Sequence, residues 1–230
     1  SLNGNTWRSG RSFEADPTPY NAAIWRKQLA RVHITVGRRT EIAPAPAGTL
    51  PLVIHRSATL ATIIASMLTD SVNFYGEMIF RELGAFHSGH GSPSTGVAAL
   101  RAAARQLRLP LGTVYDGSGL SYSDRQSPST IVAWLDRIRS TAYYNTIRSG
   151  LPLACRTGTL KYRMCGPNLR GRVRAKTGTL NHVSALSGYF PTKSGHFVTF
   201  SILVSGFRDS EYNRIYRHVD AALATIATHG

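Results

Sequence analysis

Apolar side chains recur at helical spacing in six stretches of this chain and at alternate positions in a block nearer its end. Asp16-Pro17, a capping residue followed by a first-turn proline, opens a helix through Ala22, Trp25 and Leu29. Ser57 caps a second helix with Leu60, Ile63, Ile64, Met67 and Leu68 on one face, ending near Thr69. A third pattern runs from Phe74 to Gly84, which leaves Asp70 to Asn73 in an interhelical corner. The Ala-rich stretch 95–107 is a fourth helix, and Ser127-Pro128 opens a fifth through Ile131, Trp134, Leu135 and Ile138. His33 to Val36 and Pro51 to His55 alternate like short strands around the Pro/Ala/Gly connector 43–51. Residues 87–94 are a flexible loop, and Asp116 to Gly119 is a turn.

After Gly150 the period changes. Val173, Ala175 and Thr177 alternate with Arg174, Lys176 and Gly178. Val183 to Phe190 and Phe197 to Val204 are β-rich and joined through a turn at Thr192 to Gly195, which predicts antiparallel strands. Arg208 to Ala227 closes the chain as an amphipathic helix with Ile215, Val219, Ala222, Leu223 and Ile226 inward. The fold class is therefore α/β of the α+β kind: helices, then a strand meander, then a terminal helix packed on the sheet. No solenoid-scale repeat is present, but Arg156 to Leu160 (RTGTL) is echoed by Lys176 to Leu180 (KTGTL).

Composition narrows the class. With 230 residues and 42% hydrophobic content the chain can build a core, despite a formal net charge of +15. No apolar run approaches the roughly 18 residues of a membrane span. A cationic chain favours polyanions, yet most of the arginines are scattered. The densest basic cluster is Arg170, Arg172 and Arg174 with Lys176 in phase, which period-two spacing puts on one face of a strand. Most of this charge reads as solvated surface, and a nucleic-acid-binding domain, suggested by charge alone, lacks any recognised module. His87 and His90 have no third ligand at a sensible spacing, so neither a metal nor a cofactor is expected. Asp116 and Asp124 read as turn residues rather than an acid/base pair. Cys155 and Cys165 are either bridged, as an oxidising compartment permits, or two buried thiols.

Two motifs carry chemistry together: Ser71-Val72-Asn73 at the helix corner and Lys176-Thr177-Gly178 on a strand. Each has a bland reading, as caps for the helix from Phe74 and as an exposed strand lysine. Penicillin-recognising enzymes, however, combine S-x-x-K, S-x-N and K-T-G, with the last on a strand facing the second. Further landmarks are Val173 to Leu180, Val183 to Tyr189, Phe200 to Val204, Asp116 to Ser121, Gly158 to Leu160, and Glu77 with Leu83-Gly84. On these, residues 17–227 resemble the class C low-molecular-mass penicillin-binding proteins, which are serine D-alanyl-D-alanine carboxypeptidases/endopeptidases.

The resemblance implies a penicillin-binding/β-lactamase-like transpeptidase fold, an antiparallel sheet flanked by helices plus a helical subdomain, incomplete in this chain. It implies that Lys176 supplies positive charge near the active serine and the terminal carboxylate of the stem peptide, and that Thr177 hydrogen-bonds that carboxylate. Gly178 leaves room for substrate along the strand, and the Thr179 N–H serves an oxyanion hole. Ser71 relays a proton to the leaving amine, Asn73 orients the substrate amide and a catalytic lysine, and Ser118 and Leu120 border a side-chain pocket. The implied partners are peptidoglycan stem peptides and β-lactams, in an extracytoplasmic, bacterial cell-envelope or secreted setting.

One part of the pattern is absent. The positions three before Lys27, Lys161, Lys176 and Lys193 hold Ile24, Gly158, Val173 and Phe190, so no S-x-x-K exists here. The expectation is a C-terminal portion completed by an N-terminal segment or chain of the same precursor; the alternative is a catalytically inactive wall-binding relative. Residues 1–15 then read as the tail of an inserted segment, and 16–230 as the rest of the catalytic domain. Within it fall a helical region 57–150, a strand region 172–206 and a closing helix 208–227. Tyr122 and Asp124 stand where the family commonly has Arg and Asn, which leaves the side-chain preference open.

Overall fold

The computed structural model describes residues 17–37, 41, 43, 46–51 and 53–230. The tail expected over residues 1–15 lies outside them. The chain divides into two compact units, Ser1–Ser57 and Ala58–Gly230.

The first unit carries α1 (Pro17–Arg31). The helix stops where His33 takes a left-handed backbone (φ 60°) and the Ile34 N–H turns back to Leu29 O at 3.0 Å. The strand expected at His33 to Val36 is turn and irregular chain, and so are the described residues between Pro51 and His55. Alternation alone does not make a strand: a strand needs a neighbour to take its backbone hydrogen bonds.

The second unit opens with α2 (Leu60–Asp70), α3 (Asn73–Ser88) and α4 (Pro93–Leu107). Thr59, not Ser57, caps α2, its hydroxyl accepting the Thr62 N–H at 3.3 Å. Helix α3 runs a turn past Gly84, which shortens the loop expected at 87–94. Ser92 and Thr95 form a reciprocal capping box at the start of α4. Helices α5 (Pro128–Arg139) and α6 (Tyr144–Gly150) follow, α5 capped by Ser127. The Cys155–Cys165 disulfide then encloses a 3-10 turn, Gly158–Leu160, anchored by a fully buried Leu160.

Strands β1 (Arg174–Leu180), β2 (Val183–Pro191) and β3 (Phe197–Ser205) form an antiparallel sheet in the order β1-β2-β3. The register pairs Lys176 with Ser187 and Ser187 with Ser201. On one face Ala175, Leu186, Phe190 and Phe200 join Val219, Leu223 and Ala227 of α7 (Tyr212–His229) in the main core. The closing helix starts at Tyr212 rather than Arg208, after a 3-10 turn at Asp209–Glu211. Its inner row is 215, 219, 223 and 227, whereas the expected Ala222 and Ile226 face solvent.

The other face meets α5, where Tyr189 donates to Leu135 O (2.8 Å) and Thr199 to Asp136 Oδ1 (2.6 Å). Helix α2 has no fully buried residue despite its apolar composition. Between α2, α5, α6 and this face lies a cavity of about 490 Å³, lined by Ile64, Leu68, Ile131, Leu135, Ile147 and Leu203 among others. Among the described residues, the outer edge of β3 pairs with no strand.

The basic cluster does not share a strand face. Residues 170–172 are turn, and β1 begins at Arg174. Arg172 Nη2 donates to Thr192 O (2.9 Å) and Arg174 Nη1 to Ser149 O (3.3 Å), so both guanidinium groups clamp backbone. Among the described residues, no helix is long and apolar enough to cross a membrane.

Candidate active site

Helix α2 ends at Ser71, whose left-handed backbone (φ 56°, ψ 48°) sends its N–H to Met67 O. That conformation costs a non-glycine residue about 1–2 kcal/mol, and it turns the chain sharply into α3. The N-cap of α3 is Val72, which makes no side-chain cap bond. Ser71 and Asn73 are therefore not the cap of this helix. The Ser71 hydroxyl instead meets Lys176.

Lys176 sits on β1, on the face opposite α7 by strand alternation. Its Nζ donates to Ser71 Oγ (2.7 Å) and to Thr177 O (2.6 Å). Burial pushes its pKa below the ordinary 10.5. All eight residues singled out from the sequence line one cleft of about 390 Å³: Ser71, Asn73, Ser118, Leu120, Lys176, Thr177, Gly178 and Thr179. They come from the α2–α3 corner, the 116–121 loop and β1.

The loop is held from both sides. Asp116 accepts the Gly119 and Ser121 N–H groups at 2.7 and 2.9 Å, and Asp124 accepts the Tyr115 N–H at 2.8 Å. Both are turn residues, and burial raises the Asp124 pKa. Glu77 reaches across to the Gly117 N–H (2.9 Å) while its other oxygen accepts from Arg81 Nε (2.7 Å). A Cβ on Gly117 would lie 2.2 Å from Phe80 Cβ, so only glycine lets the loop press onto α3. Ser118 and Leu120 are thereby presented to the cleft.

The sequence did not reveal the neighbours of Thr177 and Thr179. A recess of about 280 Å³ is lined by Ser71, Thr159, Arg163, Thr177, Thr179 and Tyr216. Thr159 Oγ1 lies 2.7 Å from Thr177 Oγ1, and Tyr216 OH lies 3.1 Å from Thr179 Oγ1. The echo RTGTL marked the first of these segments without showing that it meets its twin. Chemically, a hydroxyl that accepts from a lysine keeps its own proton for donation, which is what a proton relay needs.

Solved structures with this architecture define the class. Penicillin binding protein 4 (dacB) from Haemophilus influenzae superposes with a TM-score of 0.83 at 23% identity, covering 93% of this chain and 52% of that one. The TLA-1 extended spectrum β-lactamase superposes at 0.55 and 14% identity, over 73% of this chain and 64% of its own. The fold is thus the penicillin-binding/β-lactamase-like fold, present in part. Residues 6–226 match the model of the D-Ala-D-Ala carboxypeptidase 3 (S13) family, and the chain belongs to that family. A D-alanyl-D-alanine carboxypeptidase from Actinomadura sp. is 32% identical over 77% of this chain and 34% of its own length. The chain thus spans about a third of the Actinomadura relative and about half of the Haemophilus structure.

Proposed function

We propose that this chain is the C-terminal portion of a serine D-Ala-D-Ala carboxypeptidase/endopeptidase. It acts on peptidoglycan stem peptides through an acyl-enzyme, is inhibited by β-lactams, and receives its nucleophile from an S-x-x-K segment of the same precursor. The observation that carries this reading is the 2.7 Å contact from Lys176 Nζ to Ser71 Oγ inside the cleft that Asn73 and Thr177 to Thr179 also line.

The proposed steps use that contact for the proton relay. The lysine of the S-x-x-K takes the proton of its serine as the serine oxygen attacks the penultimate D-Ala carbonyl carbon, and the oxyanion takes a hydrogen bond from the Thr179 N–H. Ser71 Oγ, which accepts from Lys176, keeps its own proton free to give to the leaving D-alanine nitrogen as the C–N bond breaks, and takes the nucleophile's proton from the S-x-x-K lysine in its place. Water then cleaves the ester. Lys176 and Thr177 take the terminal carboxylate, Asn73 orients the scissile amide and the catalytic lysine, Gly178 admits the peptide along β1, and Ser118 and Leu120 border its side chain. The Haemophilus protein has been solved complexed with a β-lactam, which supports the inhibitor class. The apolar pocket beside Lys176, open to solvent, supports a completing segment, since an exposed apolar patch of this kind marks a surface that something covers. Substrate chemistry puts the protein outside the cytoplasm, in the cell envelope or secreted.

The test is intact-mass analysis of the complete protein with and without penicillin, beside an assay of D-alanine release from a D-Ala-D-Ala peptide. A penicilloyl adduct and D-alanine release are expected. A complete protein that binds peptidoglycan but gives neither is the inactive relative, and the enzymatic reading fails.

A further inference from the structure

We propose that Thr159, on the turn enclosed by the Cys155–Cys165 disulfide, forms with Thr177 a two-hydroxyl clamp for the terminal carboxylate of the substrate; this rests on the carboxypeptidase reading of the cleft. The two hydroxyl oxygens lie 2.7 Å apart and come from segments 18 residues apart. In the free protein one hydroxyl donates to the other. Each carries a single proton, and a carboxylate offers only acceptors on two adjacent oxygens. When it arrives, both hydroxyls rotate to donate, one to each oxygen, and the mutual bond is exchanged for two charge-assisted ones.

The turn is built to hold Thr159 there. Leu160 is fully buried, and the Cys155 N–H is shared between Leu160 O and Arg163 O, both at 2.9 Å. Gly158 has φ +54°, and a Cβ there would lie 2.2 Å from Thr69 O, so the turn rests directly on the end of α2. The recess also has the right polarity. Arg163 is paired with Asp220 at 2.9 Å and stacks 4.3 Å over the Tyr216 ring. That pair is neutral as a unit and positions the phenol, while the Lys176 ammonium, 2.6 Å from Thr177 O, adds positive charge next to the clamp. Thr159 is thus a substrate-binding residue, selective for a free C-terminal carboxylate.

The experiment uses the complete protein and two substrates, an N-acylated D-Ala-D-Ala peptide and its C-terminal amide. Thr159→Val is expected to lower kcat/KM on the acid about 10- to 100-fold, the usual worth of a hydrogen bond to a charged group. The loss should fall mainly in KM, with the amide nearly unaffected. Thr159→Ser should restore the acid rate. Thr159→Ala, which removes the hydroxyl without putting a methyl in its place, gives the same acid-to-amide ratio if the valine variant does not fold. Equal losses on acid and amide, or no loss on either, overturn the clamp while leaving the carboxypeptidase reading intact. A parent protein that neither releases D-alanine nor is acylated by penicillin overturns both.

Discussion

Lys176 is partly buried without an acid against it: among the described residues no carboxylate forms an ion pair with it, and its two acceptors are a hydroxyl and a carbonyl. Desolvation alone lowers its pKa from 10.5. The consequence for stability has a definite sign. Below the lowered folded value the lysine is charged in both states, and the folded state bears the full desolvation penalty. Between that value and 10.5 the unfolded chain holds more protons, so raising the pH favours folding. Relative to Lys176→Met, the parent protein is therefore expected to gain stability as pH climbs through that interval. Denaturant titrations of both proteins across it check this, and a difference that stays flat or shrinks contradicts the burial argument. At this scale the sequence was informative because the two motifs name their own partners. The Glu77 contact to the Gly117 N–H was not legible, since nothing local to either residue specifies a bond across 40 positions.

At the scale of elements, the caps show where local signals suffice. Ser127 precedes a proline and caps the helix expected of it, whereas Ser92, in the stretch expected as loop, caps α4 through the same Ser-Pro signal and starts it at Pro93 rather than 95. Ser57 and Thr59 offered equivalent hydroxyls, and only the paired Thr59–Thr62 geometry chose between them. The inner row of α7 follows the i, i+4 line through 215, 219, 223 and 227, so the expected Ala222 and Ile226 fall on its exposed flank. The 155–165 excursion was the least legible element, for its shape depends on a disulfide and on one backbone conformation. Gly158 occupies the left-handed region with Thr69 O against its α-carbon. Gly158→Ala adds backbone strain of about 1–2 kcal/mol and an overpacking term of about 1–3 kcal/mol. A fall in Tm of several degrees is expected, together with a loss of selectivity for the acid over the amide substrate as the turn carries Thr159 away. An alanine variant with the parent's Tm and selectivity shows instead that the turn is free to shift.

The whole molecule has an asymmetric sheet. One face is closed by α7 around Val219 and Leu223, while the other leaves a cavity of about 490 Å³ against α2, a helix with an apolar composition and no fully buried residue. The β3 edge lies open to a further strand among the described residues, and open edges are sites of pairing. Both vacancies border β1 or its sheet, and the cavity reaches Lys176, where a nucleophile must stand for Ser71 to relay its proton. The proposed completing segment meets all three demands if it carries an apolar helix with S-x-x-K and at least one strand to pair with β3. The 230-residue chain on its own is then expected to bind a hydrophobic dye and to melt early or without cooperativity. Co-expression with the proposed completing segment should give a co-purifying complex, with the dye signal lost, a sharp transition, and a penicillin adduct on that segment's serine. A chain that alone unfolds cooperatively and does not bind the dye has filled its own cavity, and the nucleophile must then be sought elsewhere than beneath Lys176.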